Sequence, residues 1–231
     1  MYKVGEFTML NEKYSEIKSI VESKLSCSAH NLDHVMRVCE LCVEISKYEN
    51  NVDLEILIPA ALLHDIARVQ ESEDQTGMID HAILGGDMAY EILNELGYDE
   101  KKSIAIRYCI QTHRFRTGCE PESIESKILF DADKLDAIGS VGVARCLMLS
   151  GQFGQRLKSI DNIEKYLKEN TTENGRLKDV SKHSPFIEYE IKFKKIPSKL
   201  YTKRAKKLGN SRIKYMDEFF KTLNLEIKGK L

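Results

Sequence analysis

His64 and Asp65 adjoin each other in ALLHDIAR, at the end of an almost wholly apolar run of this 231-residue chain. An ionised carboxylate buried there without a partner is costly, so Asp65 needs a counter-charge or a cation. His30 and His34 stand four apart in AHNLDHV, a spacing that shares one face if the segment is helical. A third apolar stretch, FDADKLDAIG, carries Asp131, Asp133 and Asp136. Imidazole nitrogens and carboxylates drawn from three helical segments make a credible site for a hard or borderline divalent metal. Such an ion would let the buried carboxylates stay charged. Each residue alone has a plainer reading, as a packed histidine or a helix cap. The joint order His, His-Asp, Asp, each within an apolar helical pattern, is hard to explain as independent caps.

Helical periodicity surrounds these residues and predicts an all-α, compact helical bundle. An amphipathic helix is expected over 8–25, with Leu10, Tyr14, Ile17, Ile20 and Val21 on one side. In 33–48, Val35, Val38, Cys39, Cys42 and Ile45 recur at helical spacing. Asp53 can cap a third helix running to about Arg68, with Pro59 kinking it or marking a restart. Neighbours on a helix diverge by about 100°, so His64 and Asp65 reach one point only near its end or beside a groove. Residues 81–96 predict a helix stopped by Gly97, and Asp99 caps one extending to about His113. After the loop RFRTGCEPES, helices are expected over 122–137 and 140–150. The polar stretch NTTENGRLKDVSKHS (170–184) reads as a loop in which His183 faces solvent. FIEYEIKFKKI (186–196) fits both a strand alternation and a helical stripe; with no second strand to pair with, it is read as helix. A last helix should run from about Lys199 to Leu223, with Leu208, Tyr215, Met216, Phe219 and Leu223 for packing and Gly209 weakening it midway.

Composition narrows the class. The longest apolar run, ILIPAALL, is too short to span a bilayer, and the N-terminus has no signal pattern, so a cytoplasmic location and no membrane partner are expected. Cys39 and Cys42 form a CxxC with no second ligand pair at motif spacing. They fall on an apolar helical stripe, which predicts buried free thiols. Net charge is −1, yet residues 176–214 hold 13 basic and 3 acidic residues, and residues 1–175 carry −11. An acidic metal-binding body with a basic segment suits a polyanionic substrate, although solvated helix faces account for most of these lysines.

The ordered residues resemble the HD-domain metal-dependent phosphohydrolases, an all-α family whose order is His, adjacent His-Asp and a distant Asp. The resemblance carries onto His34 in LDHVMRV, His64 and Asp65 in LLHDIAR, and Asp133 in DADKLDAIG. It is nearer to a small stand-alone branch and also covers the HA at 81–82, THRF (112–115), ILFDADKLDAIGSVGVAR and YTKRAKKLGNSRIKYMDEFF, or about residues 27–223. A bare HD dipeptide is a weak signal; the ordered set with DADKLDAIG is a specific one. The resemblance implies a single HD domain over 1–231, with a core of about 27–150 and a C-terminal helical extension over 155–225. It implies hydrolysis of phosphate bonds in nucleotides, foremost nucleoside or deoxynucleoside triphosphates, by attack of a metal-bound water on phosphorus. Manganese is the expected metal, with magnesium, cobalt or nickel as alternatives. Asn31 departs from the Asp common in that branch, at a position that is not a ligand. Arg68 stands where the 5′-nucleotidase branch carries a catalytic Glu, which argues against that activity.

Arg68, His81, His113, Arg114 and Lys134 are the expected phosphate contacts, because Arg68 lies one helical turn after His64 and Lys134 adjoins Asp133. Asp65 and His113 are the catalytic candidates, and the general base is open among Asp65, Asp133 and a water relayed by His113. His81 and His113 also fall in the interval where some HD phosphodiesterases carry two extra histidines for a second metal. Two rivals stand beside the nucleotide hydrolase. One is a dinuclear-metal phosphodiesterase of cyclic or linear nucleotides. The other is a nucleic-acid binding module with a vestigial metal site, using the basic segment with Tyr189, Phe193 and Tyr201. Tyr201, Lys203 and Arg204 stand either to cover a nucleotide or to face solvent. The expected partner is a small-molecule nucleotide rather than nucleic acid, with a homodimer left open.

Overall fold

The computed structural model describes residues 14–25, 32–114, 119–158, 162–172 and 177–231. Residues 8–13 of the predicted first helix, together with His30 and Asn31, lie outside them. Its contacts divide the chain into two units, residues 1–133 and 134–231. Among the described residues the secondary structure is helical, apart from one isolated antiparallel bridge between Thr171 and Leu177. Among them, too, no helix is long and apolar enough to cross a membrane.

In the first unit, α1 (Ser15–Lys24) buries Ile17 and Val21, and α2 (Leu32–Ser46) buries the expected stripe of Val35, Val38, Cys39, Cys42 and Ile45. Burial pushes the Cys39 thiol up to about 12, with Glu40 adding to it, so the CxxC is a pair of inert packed thiols. Asp53 caps α3 (Leu54–Leu63) by accepting from the Glu55 N–H, and every residue from Leu57 to Leu63 is buried. The helix does not run on to Arg68. Pro59 sits within it, and the break comes instead after Leu63, where Ile66 N–H donates to Leu63 O (3.1 Å) and Arg68 N–H to Asp65 O (2.9 Å). These short-range bonds make His64–Ala67 a turn, after which α4 (Arg68–Glu73) begins. Asp80 caps α5 (His81–Glu95) and Asp99 caps α6 (Glu100–Gln111), each by its carboxylate. The helix α5 packs along α6, and α3 lies against α2 and α6. The core between them holds Val38, Leu57, Ile66, Ile106 and Ile110 together with Ile128 and Leu129 of α7 (Ile124–Asp136).

The second unit contains α8 (Gly139–Gln152), α9 (Ile163–Asn170), α10 (Pro185–Ile191), α11 (Ile196–Lys199) and α12 (Lys203–Ile227). The ambiguous segment is helical. Ser184 caps α10, Pro185 fills its first turn, and Phe186, Tyr189, Phe193 and Ile196 are the buried stripe. Tyr189 stacks on Phe220 at 4.5 Å. Phe220 takes the packing place assigned to Tyr215, which is 48% exposed. The last helix starts at Lys203 rather than Lys199, because Leu200 is extended and Thr202 accepts from the Ala205 N–H.

His183 corrects the solvent-facing expectation: it is buried in a polar network. Asn170 Nδ2 donates to the Tyr166 hydroxyl (2.8 Å), which donates in turn to His183 Nδ1 (2.9 Å), while His183 Nε2 donates to Glu188 Oε2 (2.9 Å). Burial works against the Glu188 charge, but Lys192 and His183 outweigh it and hold the carboxyl at about 2. Polar composition did not reveal that His183 finds partners on either side of this stretch, nor that Val180–Lys182 form a short helical turn; residues 173–176 lie outside the described residues.

Two glycines in this unit mark close approaches of different hardness. A Cβ on Gly142 would meet the Ala137 backbone carbonyl, and one on Gly209 would lie 2.7 Å from the mobile tip of Leu200. Gly142→Ala is therefore expected to lower unfolding free energy by about 1–3 kcal/mol. Gly209→Ala should cost less, since Leu200 can rotate and helix propensity improves. Urea denaturation of the two variants checks the order; a milder effect at Gly142 contradicts it.

Candidate metal centre

The break after Leu63 is what makes the site. His64 caps α3 and Asp65 follows in the turn, and the side chains of both reach His34 from α2. His34 Nε2 lies 3.3 Å from His64 Nε2, 3.6 Å from Asp65 Oδ2 and 3.5 Å from Asp133 Oδ1 on α7. His64 Nε2 lies 3.8 Å from Asp65 Oδ2 and 4.0 Å from Asp133 Oδ1. Of the aspartates in FDADKLDAIG, Asp133 reaches these histidines, whereas Asp136 accepts from Arg145 at 2.6 Å. Lys134 follows Asp133 on α7, half-buried, as the first residue of the second unit.

A second cluster shares the same aspartate. Asp65 Oδ1 is 3.2 Å from His81 Nε2, at the start of α5, and 3.9 Å from His113 Nε2, just past the end of α6. Those two Nε2 atoms are 3.3 Å apart. Asp65 thus directs one oxygen at each of two histidine pairs, and the four rings and the carboxylate are buried.

Hydrogen bonds at the far nitrogens orient the rings. His64 Nδ1 donates to Ala61 O (2.8 Å) and His113 Nδ1 to Ile110 O (2.6 Å), which turns their Nε2 lone pairs into the clusters. Burial lowers the His64 pKa, the direction that favours the neutral ring a metal ligand needs. Burial also penalises the Asp65 charge, yet His64, His34, His81 and Arg68 together hold its carboxyl well below the usual range. Lone pairs and carboxylate oxygens converge here, and nitrogen–oxygen sets of this kind suit a borderline divalent cation. The donor set therefore fits the metal that the sequence implies.

Two arginines flank the clusters, each paired with a carboxylate. Arg68 NH1 lies 2.8 Å from both Glu71 Oε2 and His81 Nδ1, and Arg114 NH1 lies 2.6 Å from Glu71 Oε1 and 3.0 Å from Asp80 Oδ2. His81 Nδ1 is itself 2.8 Å from Glu71 Oε2. Burial works against the Glu71 charge, but His81, Arg114 and Arg68 hold it well below the ordinary carboxylate range. Glu71 and Asp80 escaped the sequence reading: VQESED looks like a solvated helix end, and Asp80 signals only a cap before His81.

Two arginines beside a set of metal-ligating side chains suit a phosphate-like anion. The HD domain family matches residues 31–138. The uncharacterized protein YpgQ of Bacillus subtilis is 29% identical over 220 residues, 93% of each chain. Its crystal structure with ADP aligns at a TM-score of 0.69 and 27% identity, covering 94% of this chain and 99% of that one. A predicted HD superfamily hydrolase from an uncultured Thermotogales bacterium aligns at 0.64 and 28%, covering 95% and 98%. With the HD match lying over the ordered His34, His64-Asp65 and Asp133, the chain belongs to the HD-domain family of metal-dependent phosphohydrolases.

Proposed function

We propose that the chain hydrolyses phosphoanhydride bonds of small nucleotides, with nucleoside or deoxynucleoside triphosphates as substrates and manganese as the leading metal. The observation that carries this reading is Asp65, offering one oxygen to each of two histidine pairs beside Arg68 and Arg114. The ADP held by YpgQ supports a nucleotide as the ligand class. His34, His64, Asp65 and Asp133 would hold one ion, and Asp65, His81 and His113 form a second donor set of the same chemistry. A divalent ion, when bound, supplies Lewis acidity at a phosphoryl oxygen and makes water a stronger acid.

The side chains do the rest. Arg68 and Arg114 bind nonbridging phosphate oxygens, matching a reaction dominated by positioning and electrostatics. His113, its Nδ1 proton fixed on Ile110 O, keeps its Nε2 lone pair on the second cluster, which leaves a carboxylate oxygen of Asp133 to accept the proton of the attacking water. His64, fixed in the same way by Ala61 O, keeps its lone pair on the first cluster.

The test is a screen of nucleoside mono-, di-, tri- and cyclic phosphates and linear dinucleotides with manganese, magnesium, cobalt and nickel, reading phosphate and pyrophosphate separately. Triphosphate turnover with manganese, releasing pyrophosphate, is the expected result. The paired histidines also favour a second reading, a dinuclear-metal phosphodiesterase. Faster cleavage of cyclic or linear dinucleotides than of triphosphates would put that reading first.

A further inference from the structure

We infer that Glu71 is a positioning residue that joins His81, Arg68 and Arg114 into a corner for the neighbouring phosphate of a di- or triphosphate. The inference rests on the nucleotide reading above and deepens it. Glu71 lies on α4, with its side chain 16% exposed. Its Oε2 faces His81 Nδ1 and Arg68 NH1, each at 2.8 Å, and its Oε1 accepts from Arg114 NH1 at 2.6 Å.

His81 Nδ1 has two neighbours at the same distance, Glu71 Oε2 and Arg68 NH1. A guanidinium can only donate. If Arg68 donates to Nδ1, the ring proton sits on Nε2 and points at Asp65 Oδ1, 3.2 Å away, which leaves no lone pair for a cation. If Nδ1 carries the proton and donates to Glu71, Nε2 is the nitrogen that faces Asp65 and His113 and can be offered to a cation. Glu71 selects the second form, because it takes that proton and draws Arg68 NH1 onto its own oxygen. Arg114 also reaches Asp80 Oδ2, on the cap of α5 directly before His81. One carboxylate therefore prepares His81 for a cation and holds two guanidinia beside it. A substrate with one phosphoryl at the histidine clusters meets this corner only if a second phosphate follows. The corner thus favours compounds with adjacent phosphates over monoesters and orthophosphate.

The experiment uses the full chain and no turnover. Manganese is titrated calorimetrically into wild type and Glu71→Gln; inorganic pyrophosphate and orthophosphate are then titrated into the manganese-loaded proteins. Wild type should take two equivalents of manganese and prefer pyrophosphate. Glu71→Gln should keep the first equivalent and bind the second about 10–100-fold more weakly. Its affinity for pyrophosphate should fall about tenfold while that for orthophosphate holds, since a charge-assisted partner is lost. Glu71→Asp, which keeps the charge on a shorter stem, should restore part of both losses. If Glu71→Gln loses its helical circular dichroism, Glu71→Asp is read in its place, with smaller losses of the same kind. An unchanged second equivalent, a single wild-type equivalent or an unchanged pyrophosphate preference overturns the inference. These binding losses in Glu71→Gln, together with a wild type that hydrolyses no nucleotide, sink the proposed function and leave the role of Glu71 standing.

Discussion

Asp65→Asn is expected to abolish metal binding and to lower nucleotide hydrolysis by about 10³-fold or more, the loss of several kcal/mol at about 1.4 kcal/mol per tenfold. The substitution keeps the shape of the side chain and changes what it offers. One of two acceptor oxygens becomes an NH₂ donor, aimed at histidine lone pairs whichever way the amide turns. Because Asp65 directs an oxygen into each histidine pair, one change damages both donor sets. The helices should survive, since Leu57, Leu63 and Ile66 are buried by apolar packing that does not depend on the carboxylate. His64→Ala should give the same phenotype by deleting one ligand nitrogen. Elemental analysis, steady-state turnover and far-ultraviolet circular dichroism read the three parts of this result. Manganese-dependent turnover retained in either variant refutes the assignment.

The second large effect is on stability. Manganese at about 100 times its Kd should stabilise the fold by about 2.7 kcal/mol. At roughly 2–4 °C per kcal/mol for a chain of this size, Tm should rise by about 5–11 °C over chelator-treated protein. The cause is the convergence of His34, His64, Asp65 and Asp133 with no proton donor of their own directed at the shared point from His64. Filling that point with a cation relieves lone-pair and carboxylate repulsion, and the unfolded chain gains nothing comparable. Thermal melts of wild type and Asp65→Asn, with and without manganese, check it. A shift that persists in Asp65→Asn means that the stabilising ion binds elsewhere.

The order of ligands was legible because each lies in an apolar pattern where an ionisable side chain needs a reason. ALLHDIAR posed the problem of Asp65, and convergence near a helix end was the stated condition for an answer. The position of that end was not legible. Nothing in AALLHDIAR stops a helix by composition, and the proline that invites a break does not produce one. The turn after Leu63 is a tertiary outcome, closed by backbone bonds that its sequence does not advertise. Arg68 and Arg114 were found as cations near the motif. Glu71, which organises them, was missed because His81 and Arg114 come from segments distant in sequence and its immediate neighbours, Gln70 and Ser72, are polar. The same blindness put His183 in solvent, since a polar loop residue and a buried one in a satisfied network share a composition. Tyr215 was misassigned for a smaller reason: it and Phe219 lie on the flanks of an apolar stripe whose centre is Met216 and Phe220.

The central claim is that the histidine–aspartate cluster makes this chain a metal-dependent nucleotide hydrolase. It is tested most directly by stripping the purified protein with a chelator and measuring pyrophosphate release from nucleoside triphosphates before and after adding manganese. The expected result is no turnover in the stripped protein and full recovery on adding the metal. Turnover that survives stripping, or none with any of manganese, magnesium, cobalt and nickel, contradicts the claim.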